Sequence, residues 1–124
     1  MGAASNESDG GDTLKDIWWE GSSKDDLLAF PEAAKHDMGY QLHRVQTGRD
    51  PDDWKPLKHL GKGVTGVYEI RLSIERNIYR TAYGVKFGDV IAVLHCWQKK
   101  TQTTAQSDKE LIVARYRSVK ERFG

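Results

Sequence analysis

The chain has 124 residues, with 19 Lys and Arg against 18 Asp and Glu, one cysteine and 38% apolar residues. That suffices for one domain burying about two-thirds of its unfolded surface and leaves no room for a second. The lone Cys96 excludes an internal disulfide and a cysteine-rich zinc site, no apolar run approaches the roughly 18 residues of a membrane span, and the start lacks a signal-peptide pattern, so a cytoplasmic protein with no membrane attachment is expected.

In chain order, residues 1–13 are rich in Gly, Ser and Asp and carry no large apolar side chain beyond Met1; a disordered tail is expected, with one domain over 14–124. Ile17-Trp18-Trp19 has high β propensity and reads as a first strand. Ser23 and Asp26 have capping-box spacing and open a short helix through Leu27, Leu28 and Phe30. Pro31 suits the first position of a second helix, on which Ala34, Met38, Leu42 and Val45 recur on one face until Gly48. Residues 48–63, with Pro51 and Pro56, read as a loop. Val67–Leu72, Ile78–Tyr83 and Val90–Trp97 are three strands of an antiparallel meander, the last nearly all apolar and so covered on both faces, the first two alternating with one wet face. Ser107 and Glu110 repeat the capping-box spacing and open a final helix to 123, with Ile112, Tyr116, Val119 and Phe123 on one face and Lys109, Arg117 and Lys120 on the other. The predicted order is β-α-α-β-β-β-α, an α+β domain.

The net charge of +1 hides a division. Residues 1–53 hold twelve acids and five bases, residues 54–124 six acids and fourteen bases. The basic half suits a phosphate backbone, whose counterions are released on contact; two halves that fold together and cancel locally are the alternative. Placing the motifs on the chain favours the first, because it assigns the basic half to the sheet and final helix.

Lys55-Pro56-Leu57-Lys58-His59-Leu60, Tyr68-Glu69-Ile70-Arg71, Tyr79-Arg80-Thr81-Ala82-Tyr83 and Val93-Leu94-His95-Cys96-Trp97-Gln98-Lys99-Lys100-Thr101 together resemble the successive motifs of RelE/ParE-superfamily toxins, above all the phage-derived, HigB-like branch. Ser22–Leu27, Pro31 and Gly39-Tyr40-Gln41-Leu42 resemble that branch too, so the likeness runs from about Ile17 to Arg122. It implies a RelE-like small antiparallel or mixed sheet with two N-terminal helices on one face and a C-terminal helix. It also implies the toxin of a type II toxin–antitoxin pair, acting as a ribosome-dependent mRNA endonuclease without metal or other cofactor. The implied partners are a HigA-like helix-turn-helix antitoxin, the ribosome and mRNA, with operator DNA reached only through the antitoxin. Gyrase poisoning, as in other superfamily members, and RNA or protein binding without catalysis are the alternatives.

Metal-free RNA cleavage by the ribose 2′-OH asks a protein to align the nucleotide, move protons and stabilise phosphorane charge. Arg71, Arg80, Lys99 and Lys100, on strands or strand ends, are candidates for the charge. Arg80 matches the superfamily's Tyr-Arg-x-x-Tyr strand, and Lys99-Lys100 its basic run. His95 is the candidate for proton transfer or a buried, hydrogen-bonded core residue; Tyr83 touches the phosphate or a base, or packs in the core. For Arg71 the competing role is an ion pair with Glu69 or Glu75, and for Arg80 an exposed sheet face. Lys58, Lys62 and Arg117 are candidates for RNA backbone contact, and Trp54 for base stacking. His36 and His43 share a helix face but lack a third metal ligand at suitable spacing, so no metal site is expected. Cys96, inside an apolar strand, is expected to be an inert packing residue.

Overall fold

The computed structural model describes residues 14–99 and 104–124; the expected tail, 1–13, and Lys100 lie outside them. The elements are β1 (Asp16–Trp19), α1 (Ser23–Leu28), α2 (Glu32–Gln46), β2 (Trp54–Pro56), β3 (Val67–Ile74), β4 (Asn77–Phe87), β5 (Val90–Lys99) and α3 (Gln106–Phe123). One mixed sheet has the order β1-β5-β4-β3-β2. β1 runs parallel to β5 and every other pair is antiparallel.

The sheet separates two apolar clusters. On one face the α2 stripe of Ala34, Met38, Leu42 and Val45 packs with Leu27 of α1 on Ile70, Tyr79, Tyr83, Ile91 and Val93. On the other, Ile112, Tyr116 and Val119 of α3 pack on Val67, Ala82, Phe87, Ala92 and Leu94. Both stripes follow from helical periodicity. The expected Phe123 lies at the end of the α3 stripe, 39% exposed, with its ring edge-on to Trp18. Arg115 fastens α3 to the sheet, donating to the Leu94 carbonyl at 2.9 Å and the Ser22 hydroxyl at 3.1 Å.

Several expectations are corrected. The segment 48–63 contains β2, held on β3 through Trp54 opposite Ile70 and Lys55 opposite Glu69. Buried Gln41 steadies the approach to it by bonding both the side chain and the backbone N–H of Asp52. The two capping boxes are absent: Ser22 caps α1 and Ala105 caps α3, neither through its side chain, and the buried Ser23 hydroxyl instead donates to the Val93 carbonyl. Pro31 sits one position before α2 as its N-cap. The β3–β4 connection is a two-residue turn, because Ile74 pairs with Asn77 and both Glu75 and Arg76 take positive φ, 50° and 70°. β5 is buried from Ile91 to Cys96 as expected, but β4 is buried from Tyr79 to Gly84 as well. It is the middle strand of five, and its Arg80 goes inside with it.

Candidate functional site

Antiparallel register places directly opposite residues on the same face of a sheet. Lys55 lies opposite Glu69, Arg71 opposite Arg80, Arg80 opposite Trp97 and Ala82 opposite His95. Lys55, Glu69, Arg71, Arg80, His95, Trp97 and Lys99 therefore share one face, the one that carries α3. Two arginines directly opposite one another would repel. Glu69, two residues before Arg71, relieves this by forming an ion pair with Arg80. Glu69 and Arg80 are 0% and 1% exposed, so this pair is the floor of the site. Above it, Lys55 Nζ stands 4.0 Å from Glu69 Oε2 and the Thr104 hydroxyl donates to Glu69 Oε1 at 3.4 Å. Arg71 and Lys55 are exposed and Lys99 is half-buried at the end of β5.

Four cations thus gather around one carboxylate, and the surplus positive charge bears on Lys99. Partial burial first, then the Arg80 and Arg71 guanidinium groups, hold the Lys99 ammonium below its ordinary pKa, against a smaller opposing pull from Glu69. A lysine so placed gives up its proton more readily than a surface lysine. Beside the floor, His95 is stacked on Trp97 with ring centroids 4.5 Å apart. Its Nε2 meets Asp108 Oδ1 of α3 at 2.8 Å. Among the described residues its Nδ1, like Arg80 Nε, has no hydrogen-bond partner. The arrangement offers an anion a cationic rim over a buried, pre-set charge pair.

The family model of phage-derived Gp49-like proteins (DUF891) matches residues 25–117, a span that holds all four cations and Glu69. The chain belongs to this family. Gp49-like proteins are commonly associated with RelE-like toxins, and the mixed sheet flanked by three helices is consistent with a small RelE-like α+β fold. No curated protein matches the chain.

In this Gp49-like protein the structure brings together Arg71, Arg80, Lys99 and, next to them, His95. It also shows how each is held. Arg80 is neither on an exposed sheet face nor open to solvent; it is the counter-ion of Glu69, the pairing that the sequence offered for Arg71. His95 is buried and hydrogen-bonded, enclosed by Asp108 and Trp97. Tyr83 falls on the opposite face, 3% exposed in the core; burial, then Asp50 and Tyr68, raise its pKa far above the ordinary phenol value, and it is not at the site. Trp54 also belongs to that opposite face, edge-on to Tyr68. Lys58 and Lys62 are exposed in the β2–β3 loop and Arg117 is exposed on α3, outside the cluster on its α3 side. The candidate Lys100 lies outside the described residues. Cys96 is a packing residue: burial pushes its thiol up to about 12, and the Thr81 hydroxyl donates to its sulfur at 3.3 Å.

Glu69, Lys55, Thr104 and Asp108 were not singled out for the site. The signal for Glu69 was its even offset from Arg71, which puts both on one strand face. Thr104 and Asp108 carried no such signal, because their contacts come from the docking of α3.

Proposed function

We propose that this Gp49-like protein is the toxin of a type II toxin–antitoxin pair, of the HigB-like branch, and that it cuts mRNA on the ribosome. The observation that carries this reading is the rim of Lys55, Arg71 and Lys99 over the buried Glu69–Arg80 pair. A scissile phosphate seated on that rim gains charge as the neighbouring 2′-OH attacks it, and fixed cations in a partly desolvated site stabilise that gain. The ribose oxygen forms a bond to phosphorus as the bond to the 5′-oxygen breaks, leaving a 2′,3′-cyclic phosphate and a 5′-hydroxyl. Lys99, with its lowered pKa, is the residue suited to take the 2′-OH proton; a proton is returned to the departing 5′-oxygen. Arg80 contributes from below, as a buried charge held in place by Glu69. No metal is required by this scheme, since side chains supply the positive charge. In the cytoplasm a HigA-like helix-turn-helix antitoxin would neutralise the toxin and carry the contacts to operator DNA.

The test is induced expression of the wild type and of Arg71→Ala/Lys99→Ala, with transcript 5′ ends mapped during growth arrest. New ends inside coding sequences with the wild type, absent with the variant, are expected. Arrest with intact transcripts and DNA-damage signalling would replace this reading with gyrase poisoning, and harmless expression with a binding module.

A further inference from the structure

A groove of about 410 Å³ lies between the β2–β3 loop and the outer face of α3. One wall is His59 and Leu60 of the β2–β3 loop and the other is Gln106, Lys109, Val113 and Arg117 of α3. In the chain the loop follows Lys55 of β2, and α3 begins two residues after Thr104, whose hydroxyl touches Glu69. We propose that this groove carries the single RNA strand as it leaves the cluster, with Lys109 and Arg117 holding its phosphates. The proposal rests on the reading of the chain as an RNA-cutting toxin, and it assigns a binding site beyond the reacting phosphate.

Charge and spacing both support an RNA strand. The lining joins Lys109, Arg117 and His59 with an apolar strip of Leu60 and Val113, and its carboxylate, Glu110, accepts from Gln106 at 3.4 Å. Lys109, Val113, Arg117 and Lys120 recur at spacings of four, four and three, while Ile112, Tyr116 and Val119 face the core. At about 1.5 Å rise per residue, Lys109 and Arg117 stand about 12 Å apart along the helix, room for more than one phosphate of an extended strand. Alternating cations and apolar contacts are what a single strand offers partners for, through its phosphates and its unstacked bases. The loop wall shows the backbone cost of a shaped site. His59 adopts φ of 59°, a left-handed conformation uncommon for a side-chain-bearing residue and concentrated at functional positions.

The test compares the wild-type protein, Lys109→Gln/Arg117→Gln and a control, Lys24→Gln/Lys35→Gln, whose changes lie on the helices across the sheet. A labelled single-stranded RNA oligonucleotide is titrated over a range of KCl concentrations. Loss of two phosphate contacts should weaken binding about tenfold or more at low salt and lower the slope of log Kd against log[KCl] by about 1.4. The control should bind as the wild type does. Equal thermal melting of all three proteins excludes misfolding, and Lys109→Glu/Arg117→Glu should weaken binding further.

Mapping of ribosomal cleavage in parallel separates the two ideas. If the wild type cuts mRNA and the groove variant binds and cuts equally well, the groove is refuted and the nuclease stands; an acidic protein occupying the groove would give this result. If RNA binding falls in the variant while the wild type leaves transcripts intact, the groove stands and the nuclease is refuted. A wild type without RNA affinity overturns the groove outright.

Discussion

Glu69 and Arg80 are fully buried and ion-paired on adjacent strands, directly beneath the exposed Arg71 and Lys55. Removing charges from water costs several kcal/mol per ion, which the pair recovers only by staying together. Breaking it by Glu69→Ala leaves Arg80 buried, opposite Arg71 and beside Lys99, and should cost about 3–5 kcal/mol. Glu69→Leu combined with Arg80→Met removes both charges and should cost much less than the single change. Chemical denaturation of the two variants checks this. Equal losses would mean that the pair is not the unit of stability.

A second prediction concerns Lys99, whose pKa lies below its ordinary value through burial and the neighbouring guanidinium groups. Arg71→Ala removes one of these cations, so the Lys99 titration followed by side-chain NMR should move upward toward the ordinary lysine range. The sign for stability follows. A lysine with a lower pKa folded than unfolded opposes folding while it is charged, and the penalty fades as pH rises through the folded value toward the unfolded one. Lys99→Gln should therefore raise stability at neutral pH while reducing function. An unmoved or lowered titration in Arg71→Ala would refute the electrostatic coupling.

How much of this was legible in sequence depends on the range of the interaction involved. The stripe of Ala34, Met38, Leu42 and Val45 and that of Ile112, Tyr116 and Val119 follow from local period alone, and both are buried as read. β2 left no such trace, because three residues ending in Pro56 show no alternation and its pairing with β3 is tertiary. Within the site, strand parity is informative. Glu69 and Arg71 differ by an even offset and share a face; Arg80 and Tyr83 differ by an odd one, which sends Tyr83 into the opposite core. The contact between His95 and Asp108 depends on how α3 docks, and no local rule reaches it.

That contact gives a third prediction. Asp108 Oδ1 meets His95 Nε2 at 2.8 Å and fastens the first turn of α3 to β5 beside the cluster. Asp108→Ala would strip the buried imidazole of its partner, a loss of about 1–3 kcal/mol. Amide exchange should quicken first at residues 106–110, which sit on this fastening. Asp108→Asn keeps a polar partner and should lose less. Exchange that is unchanged in the first turn of α3 would show that His95 and Asp108 do not hold it.

The β3–β4 hairpin gives the fourth. Its turn residues, Glu75 and Arg76, both take positive φ, the requirement of the turn type whose twist matches a two-residue hairpin. For residues with a Cβ the left-handed region costs roughly 1–2 kcal/mol each, and Asn-Gly is the pair that adopts this turn most readily. The present pair is tolerated because Ile74 and Asn77 lock the register on either side and both turn side chains are exposed. Glu75→Asn/Arg76→Gly should therefore stabilise the protein by about 1 kcal/mol, the relief of strain being offset in part by the greater freedom of glycine in the unfolded chain. Since the cluster residues Glu69, Arg71 and Arg80 lie further along the same two strands, their register should be untouched. Thermal melting checks the gain. A fall in stability would mean that the turn relies on contacts of Glu75 or Arg76 rather than bearing them as strain.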